Sequence, residues 1–239
     1  MIMPQHNAVL IFSQTTNIDF SNSDGTFPVL PWEDIDALYT AMIGDFVKNT
    51  CQMPGVDVLL YRNPNELSDD FFLPYQQRLQ LFDLNDAPLS EQIQQAIENA
   101  FSSGYQNVVV VLDNHTMVTR AVLRRVLSQL GYEDDCLVVG PTYDEKCYLV
   151  GMKINHSRIF DISNGEPLHK SKLLMKQICE IDSMVFPLNP LYSLYTPINL
   201  MNLMKHIDAL DRSNVEFPTK TYAVFKMFEK KYKLKKLLQ

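Results

Sequence analysis

Residues 107–112 read Asn-Val-Val-Val-Val-Leu, and this short run decides the fold class. Consecutive β-branched residues are typical of a strand that is buried on both faces. Such strands lie inside parallel sheets, because helical crossovers cover both faces of those sheets. The run therefore predicts an internal, parallel strand at the centre of an α/β domain.

Segments on both sides of this run continue the pattern. Short apolar runs alternate with stretches whose apolar residues recur every three or four positions, as in a sheet joined by helical crossovers. We predict strands at residues 8–12, 56–61, 79–82, 136–140, 147–152 and 184–188, and helices at 32–46, 90–101, 119–130, 170–180, 199–210 and 218–238. No repeat or Pro/Gly-rich linker divides the sequence, so we predict a single domain over residues 1–239.

The glycines exclude two classes of nucleotide site. The 239-residue chain contains eight glycines, and the closest two, Gly131 and Gly140, are nine residues apart. The Rossmann fingerprint G-x-G-x-x-G and the P-loop G-x-x-x-x-G-K-[ST] both need glycines at closer spacing. Neither type of phosphate site can therefore form here.

The charge of the chain is distributed unevenly. The net charge is −7, and residues 226–239 carry +5 from six lysines and one glutamate, which leaves −12 on the rest. We expect the acidic body to repel nucleic acid. The basic tail also contains aromatic and leucine residues, so it suits either a helix packed on the domain or a contact surface for a partner or an anionic membrane.

The sequence predicts a cytoplasmic protein. No basic residue precedes Lys48 and no apolar run is long enough to cross a bilayer, so we expect neither a signal peptide nor a transmembrane helix. The four cysteines are scattered without C-x-x-C spacing, and we expect them to be reduced.

Two polar segments follow predicted strands, where α/β sheets bind ligands. They include Asp113, Asn114, His115, Asp144, Glu145 and Lys146. Asp113 and His115 suit metal binding, an acid–base pair or capping of the next helix. Cys147 with His115 is a formal nucleophile–base pair, but a cysteine inside an apolar strand is usually a small buried hydrophobe.

Residues 108–123, VVVVLDNHTMVTRAVL, and residues 139–151, VGPTYDEKCYLVG, form a recognisable pair. They resemble the motifs G-[ST]-D-x-P and G-P-x-x-D-G-G-Y-Y-L-I-G of a bacterial GT-A-like family in the nucleotide-diphospho-sugar transferase superfamily, which is similar to molybdenum-cofactor nucleotidyltransferases. Other motifs of the same family are matched in the same order along the chain, at residues 9–12, Asp45, residues 89–93 and residues 194–197. The resemblance covers about residues 8–210. It implies a three-layer α/β/α fold with a mostly parallel central sheet.

The resemblance also implies a site that binds a nucleotide sugar and holds a divalent metal with carboxylates. Asp144 matches the aspartate of D-G-G, and Asp113 lies one position before the aspartate of G-[ST]-D, which falls on Asn114. These two aspartates are the candidate catalytic and metal-binding residues. The candidate residues for binding substrate or nucleotide are Ser13, Asn114, His115, Glu145 and Lys146.

The sequence departs from the family at several of its ligand positions. The family's first loop carries K-x-P-x-x-G-x-x-K-T-R-L, whereas residues 13–31 contain no Lys or Arg. Glu145 and Lys146 replace the two glycines of D-G-G, and residues 193–199 are neutral where the family has D-V-D-T-P-E-D. We therefore expect a transferase-like protein that has lost the usual nucleotide and metal ligands, with no cofactor.

Two alternatives remain open at this point. An active sugar-nucleotide-dependent transferase would use a rearranged metal site at Asp113 and Asp144, with Mg²⁺ or Mn²⁺ as its cofactor. A non-catalytic binding or scaffold protein would instead hold a partner in the cleft or with the lysine-rich tail.

Overall fold

Seven strands in the described part of the chain form one sheet, in the order β3-β2-β1-β4-β6-β5-β7. The computed structural model describes residues 7–13, 30–63, 72, 74–112, 116–162, 172–192, 194 and 196–233. The strands are β1 (Asn7–Ser13), β2 (Val56–Arg62), β3 (Leu79–Asp83), β4 (Asn107–Val111), β5 (Cys136–Pro141), β6 (Cys147–Met152) and β7 (Met184–Pro187). The helices are α1 (Trp32–Thr50), α2 (Leu89–Ser102), α3 (Arg120–Leu130), α4 (Leu173–Glu180), α5 (Pro197–Asp208) and α6 (Thr219–Lys231).

Most neighbouring strands are parallel, as the sequence predicts. β1 pairs with β2 and β4, β2 with β3, and β5 with β7, all in parallel, while β6 runs antiparallel to both β4 and β5. The valine run is internal and fully buried, which confirms that part of the prediction. Its predicted parallel surroundings are wrong on one side, because the short connection after β5 reverses the chain and returns it as β6 beside β4.

The strand directions bring the ends of several strands to one edge of the sheet. Because β6 is antiparallel to both of its neighbours, β5 runs in the same direction as β1, β2 and β4. The ends of β1, β2, β4 and β5 and the start of β6 therefore lie at a common edge, which we call the carboxyl edge. Ligands of open α/β sheets bind at this edge.

Helices cover both faces of the sheet and complete the predicted three-layer α/β/α fold. On one face, residues of α1 and α3, such as Phe46 and Val126, belong to one apolar cluster with Val9 and Ile11 of β1. On the other face, residues of α2 and α4, such as Ile97 and Ile178, belong to a second cluster with Ala8 and Leu10, which alternate with Val9 and Ile11 along β1. The sequence period of two along each strand divides its side chains between these two cores.

The two C-terminal helices pack on the outer side of α1 and form a third apolar cluster. Phe225 and Phe228 of α6 are buried there against Leu38 and Met42 of α1. Residues 219–231 thus form a helix that packs on the domain, while residues 234–239 of the tail lie outside the described residues. The predicted extent of this helix, 218–238, is wrong, because α6 ends at Lys231 and the backbone turns left-handed at Lys233, with φ of 54°.

None of the helices in the described ranges combines the length and the apolar character that a membrane span requires.

Candidate functional site

The carboxyl edge holds a buried serine and a buried arginine side by side. Ser13, the last residue of β1, lies directly opposite Arg62, the last residue of β2. Only 5% of Ser13 and 6% of Arg62 is exposed. Both side chains belong to the face that packs on α1, since Ile11 and Leu60, two residues earlier in each strand, lie in that core. The Ser13 Oγ is buried and makes no hydrogen bond within the described part of the chain.

Arg62 also lies next to a carboxylate on the other side. It is opposite Asp83 of β3, and its Nε is 3.8 Å from the Asp83 Oδ1. The Asp83 side chain is 64% exposed, so this ion pair is only partly shielded from water. The carboxyl edge thus carries Arg62 at the strand position next to Ser13, with the Arg62 guanidinium near Asp83.

Sequence reasoning missed Arg62. It assessed the cations of the phosphate site only within residues 13–31, where there are none. Arg62 reaches the site through the register between β1 and β2, which are 43 residues apart in the chain from the end of one to the start of the other. A cation at the last position of an apolar strand was the signal that could have identified it.

The connection between β5 and β6, residues 142–146, is a turn closed by Thr142. The Thr142 amide donates to the Lys146 carbonyl at 2.8 Å, and the Lys146 amide donates to the Thr142 Oγ1 at 2.9 Å. Glu145 adopts a left-handed backbone conformation with φ of 63°, which is costly for a residue with a side chain. This position corresponds to the first glycine of the D-G-G motif, so the turn retains the backbone shape for which a glycine is suited.

Both acidic residues of this turn have lysine partners. The Lys146 Nζ is 2.6 Å from the Asp144 Oδ2, and Lys172 donates a hydrogen bond to the Glu145 carboxylate. The hydrogen bond and the charge of Glu145 raise the pKa of Lys172. Asp144 remains 42% exposed in its side chain, whereas Lys146 is only 18% exposed. The turn therefore presents neutralised ion pairs rather than a free carboxylate.

The described donor set does not by itself fit a divalent metal. Within the described ranges there is no group of three or more His, Cys, Asp or Glu residues that could hold a metal ion. Of the two candidate metal-binding aspartates, only Asp144 is described, and Lys146 occupies its carboxylate. Asp113, Asn114 and His115 lie outside the described residues.

Cys147 is the small buried hydrophobe that its strand position suggests. It starts β6, and its Sγ lies 3.0 Å from the Leu149 carbonyl oxygen. Burial raises the pKa of the Cys147 thiol to about 12, so almost none of it is thiolate at neutral pH. A nucleophilic role with His115 is therefore disfavoured.

A family model matches the centre of the chain. The family is described as an uncharacterized protein conserved in bacteria, DUF2064, and its model matches residues 46–164. Over this segment, which is just under half of the chain, the sequence is similar to the DUF2064 family. The DUF2064 segment includes the valine strand, Arg62 and the turn that carries Asp144. No sequence among curated proteins matches the chain.

Solved structures share the fold over nearly the whole chain. A protein from Desulfovibrio desulfuricans G20, described as a nucleotide-diphospho-sugar transferase, superposes with a TM-score of 0.70 at 17% identity and covers 94% of this chain and 95% of its own. A cytidylyltransferase from Leptospira borgpetersenii gives 0.55 at 9% identity, covering 97% and 96%. A 4-diphosphocytidyl-2C-methyl-D-erythritol synthase from Anaerococcus prevotii gives 0.52 at 6% identity, covering 93% and 97%. The chain therefore has the nucleotide-diphospho-sugar transferase fold.

Proposed function

We propose that this protein binds a phosphate-bearing sugar ligand, such as a sugar nucleotide, at the carboxyl edge and has lost the metal-dependent transfer activity of its fold relatives. The ion pair between Lys146 and Asp144, at 2.6 Å, is the observation that carries the proposal. Asp144 is the matched aspartate of the family motif, and a lysine stands two residues later where the motif has glycine. A metal ion at Asp144 would have to displace this ammonium group.

Electrostatics explain why this exchange would be unfavourable. A metal that shields a pyrophosphate leaving group normally binds one or two protein carboxylates as well as the phosphate oxygens. The Lys146 ammonium already neutralises the Asp144 carboxylate, and their attraction is strengthened because Lys146 is largely buried. Loss of metal binding would leave a site that recognises a ligand without activating its pyrophosphate.

Arg62 supplies the positive charge that a phosphate group would need. A guanidinium offers several donors in a planar fork and binds phosphate oxygens in a bidentate manner. The neighbouring Ser13 hydroxyl provides a further donor at the end of β1. In this proposal Arg62 replaces the cations that are missing from residues 13–31.

The proposal is tested by titration with UDP-, GDP-, CDP- and ADP-sugars, with and without Mg²⁺ or Mn²⁺. We expect one class of sugar nucleotide to bind without metal; at a hundred times its Kd it should stabilise the fold by about 2.7 kcal/mol. Arg62→Gln should weaken binding by at least about tenfold, because a charge-assisted contact of about 1.5–3 kcal/mol is lost. Arg158→Gln is the matched control, since Arg158 is an exposed arginine beyond the opposite end of β6. The melting temperature of each unliganded variant reports on its folding.

An active transferase is the second candidate, and the partial exposure of the Asp144 side chain favours it. It predicts metal-dependent turnover of a sugar nucleotide that Asp144→Asn and Asp113→Asn each abolish. Such turnover would contradict the proposed loss of metal chemistry. No binding of any sugar nucleotide would contradict the ligand proposal and favour the partner-binding alternative. A scaffold role for the tail has less support, because Lys226 and Lys231 already pair with Asp208 and Asp34.

A further inference from the structure

A pocket adjoins the Asp144 turn, and the residues that line it are distinct from those of the proposed sugar-nucleotide site. It is a pocket of about 260 Å³ formed where the β5–β6 connection, the segment after β7 and helix α5 meet. Tyr143 of the connection and Tyr192 of the later segment form one wall, and their ring centroids are 4.5 Å apart. Both rings remain more than half exposed, at 60% and 53%.

The backbone fixes this aromatic wall in place. The Tyr143 amide donates to the Leu191 carbonyl at 3.0 Å, and the Leu191 amide donates to the Pro141 carbonyl at 3.1 Å. These bonds extend the pairing between the end of β5 and the segment after β7, so the two tyrosines are carried on adjoining, hydrogen-bonded segments. The wall is therefore preorganised rather than assembled from loose loops.

Helix α5 provides the opposite, polar wall. Asn199, Asn202 and His206 follow one another at three- and four-residue spacing, so they share one face of the helix. All three line the pocket, and Leu203 between them forms part of its floor. Each amide side chain can both donate and accept a hydrogen bond, and so can the neutral imidazole ring.

We propose that this pocket binds one uncharged sugar ring, as a subsite next to the Asp144 turn; its relation to the sugar-nucleotide ligand rests on the proposed function. Among the described residues that line the pocket there is no Lys, Arg, Asp or Glu, so it is not built to recognise a phosphate. Its volume lies below the roughly 300–1,000 Å³ of pockets for drug-sized ligands, and is suited to a single ring.

The lining favours a sugar over a planar base. Sugar hydroxyls donate and accept in the same way as the Asn199 and Asn202 amides, while the carbon-bound hydrogens of a sugar ring pack on an aromatic face. The two tyrosines already contact each other with a 35° tilt, so they offer an outer face and an edge instead of a slot that would sandwich a base. Tyr143, which forms part of the wall, immediately precedes Asp144 in the chain.

Saturation-transfer NMR with glucose, galactose, mannose and N-acetylglucosamine tests the proposal. We expect transfer to the ring hydrogens of at least one sugar, and a rise in its Kd of about tenfold in Tyr192→Ala and in Asn202→Leu. Tyr132→Ala is the matched control, because Tyr132 is 46% exposed and lies outside the pocket. Tyr132→Ala should leave the Kd of the sugar unchanged. Arg62→Gln should also leave it unchanged, although we expect this variant to weaken binding of the sugar nucleotide.

The outcomes separate the two proposals. Lack of transfer to every sugar, or equal transfer in Tyr192→Ala and the native protein, would overturn the sugar subsite and leave the sugar-nucleotide result intact. Binding of free uridine or cytidine that depends on Tyr192 would also overturn it, in favour of a nucleobase site. Sugar binding without any sugar-nucleotide binding would retain the pocket and contradict only the proposed function.

Discussion

Asp45 in the middle of α1 caps the start of α6 through Thr221, 176 residues later in the chain. The Asp45 Oδ2 accepts hydrogen bonds from both the amide and the Oγ1 of Thr221, each at 2.8 Å, and the Oδ1 accepts from the Lys220 amide at 3.1 Å. Asp45 is 1% exposed and Thr221 is fully buried. The acidic residue of the first helix, one of the points of resemblance to the transferase family, therefore holds the C-terminal helix in place here.

Removal of the Asp45 carboxylate should destabilise the fold. Asp45→Ala leaves two amides and a hydroxyl without their acceptor, which should cost about 2–4 kcal/mol. For a domain of this size the melting temperature should fall by roughly 4–16 °C. Glu33→Gln is the control, because Glu33 is an exposed acidic residue on the same helix. Equal melting temperatures of Asp45→Ala and the control would show that the cap contributes nothing.

A glycine at position 145 should suit the turn better than alanine. Glu145 has φ of 63°, a conformation that costs a residue with a Cβ roughly 1–2 kcal/mol and glycine nothing. Glu145→Gly and Glu145→Ala both lose the exposed ion pair with Lys172, so their comparison isolates the backbone term. Chemical denaturation should give Glu145→Gly a free energy of unfolding up to about 1 kcal/mol higher than that of Glu145→Ala. The difference is smaller than the strain itself because glycine increases the entropy of the unfolded chain. An alanine variant of equal or greater stability would contradict the strain argument.

The valine run and the alternating periodicity were sufficient to predict the layers of the fold. They could not predict the direction of β6, because the apolar pattern of a buried strand is the same in a parallel and in an antiparallel sheet. The short turn after β5 is what makes β6 antiparallel. The aromatic stripe of α6 was visible in the sequence, whereas its partner Asp45 was not, since a cap between distant helices leaves no local pattern. Arg62 was missed for the same reason, because its place beside Ser13 depends on strand register.

Acid should weaken the attachment of α6 at its other end. Burial would raise the pKa of the Asp34 carboxyl, but hydrogen bonds from Lys231 and Tyr232 outweigh it and lower this pKa below its usual value. Because the pKa of Asp34 is lower in the folded state, its carboxylate stabilises the fold at pH values above the unfolded-state pKa of about 3.9. This stabilisation is lost as the pH falls through the folded-state pKa. Urea titrations should therefore show Asp34→Asn less stable than the native protein at pH 7 and converging with it in acid. A difference that stays constant down to pH 2 would exclude this linkage.

The four cysteines should differ sharply in reactivity. Burial raises the pKa of Cys51 and of Cys147 to about 12 and also raises the pKa of Cys136, whereas Cys179 is exposed. At pH 8 a thiol of pKa 12 is about one ten-thousandth thiolate, which is the reactive form. Thiol titration of the native protein should show one fast equivalent, which Cys179→Ser removes, and three more on unfolding. A fast equivalent that survives in Cys179→Ser would identify a second reactive cysteine.

The end of β5, just before the Asp144 turn, contains a close contact between Gly140 and the Tyr148 ring. A Cβ at position 140 would lie 2.4 Å from the Tyr148 Cζ, and the ring cannot easily move because it is 2% exposed and its hydroxyl donates to the Asn189 carbonyl at 3.2 Å. Gly140→Ala should therefore cost about 1–3 kcal/mol through overpacking. In Tyr148→Leu the ring is absent, so addition of Gly140→Ala should cost much less there. If Gly140→Ala costs the same with and without the Tyr148 ring, the penalty arises from the backbone of β5 and the ring contact is not its cause.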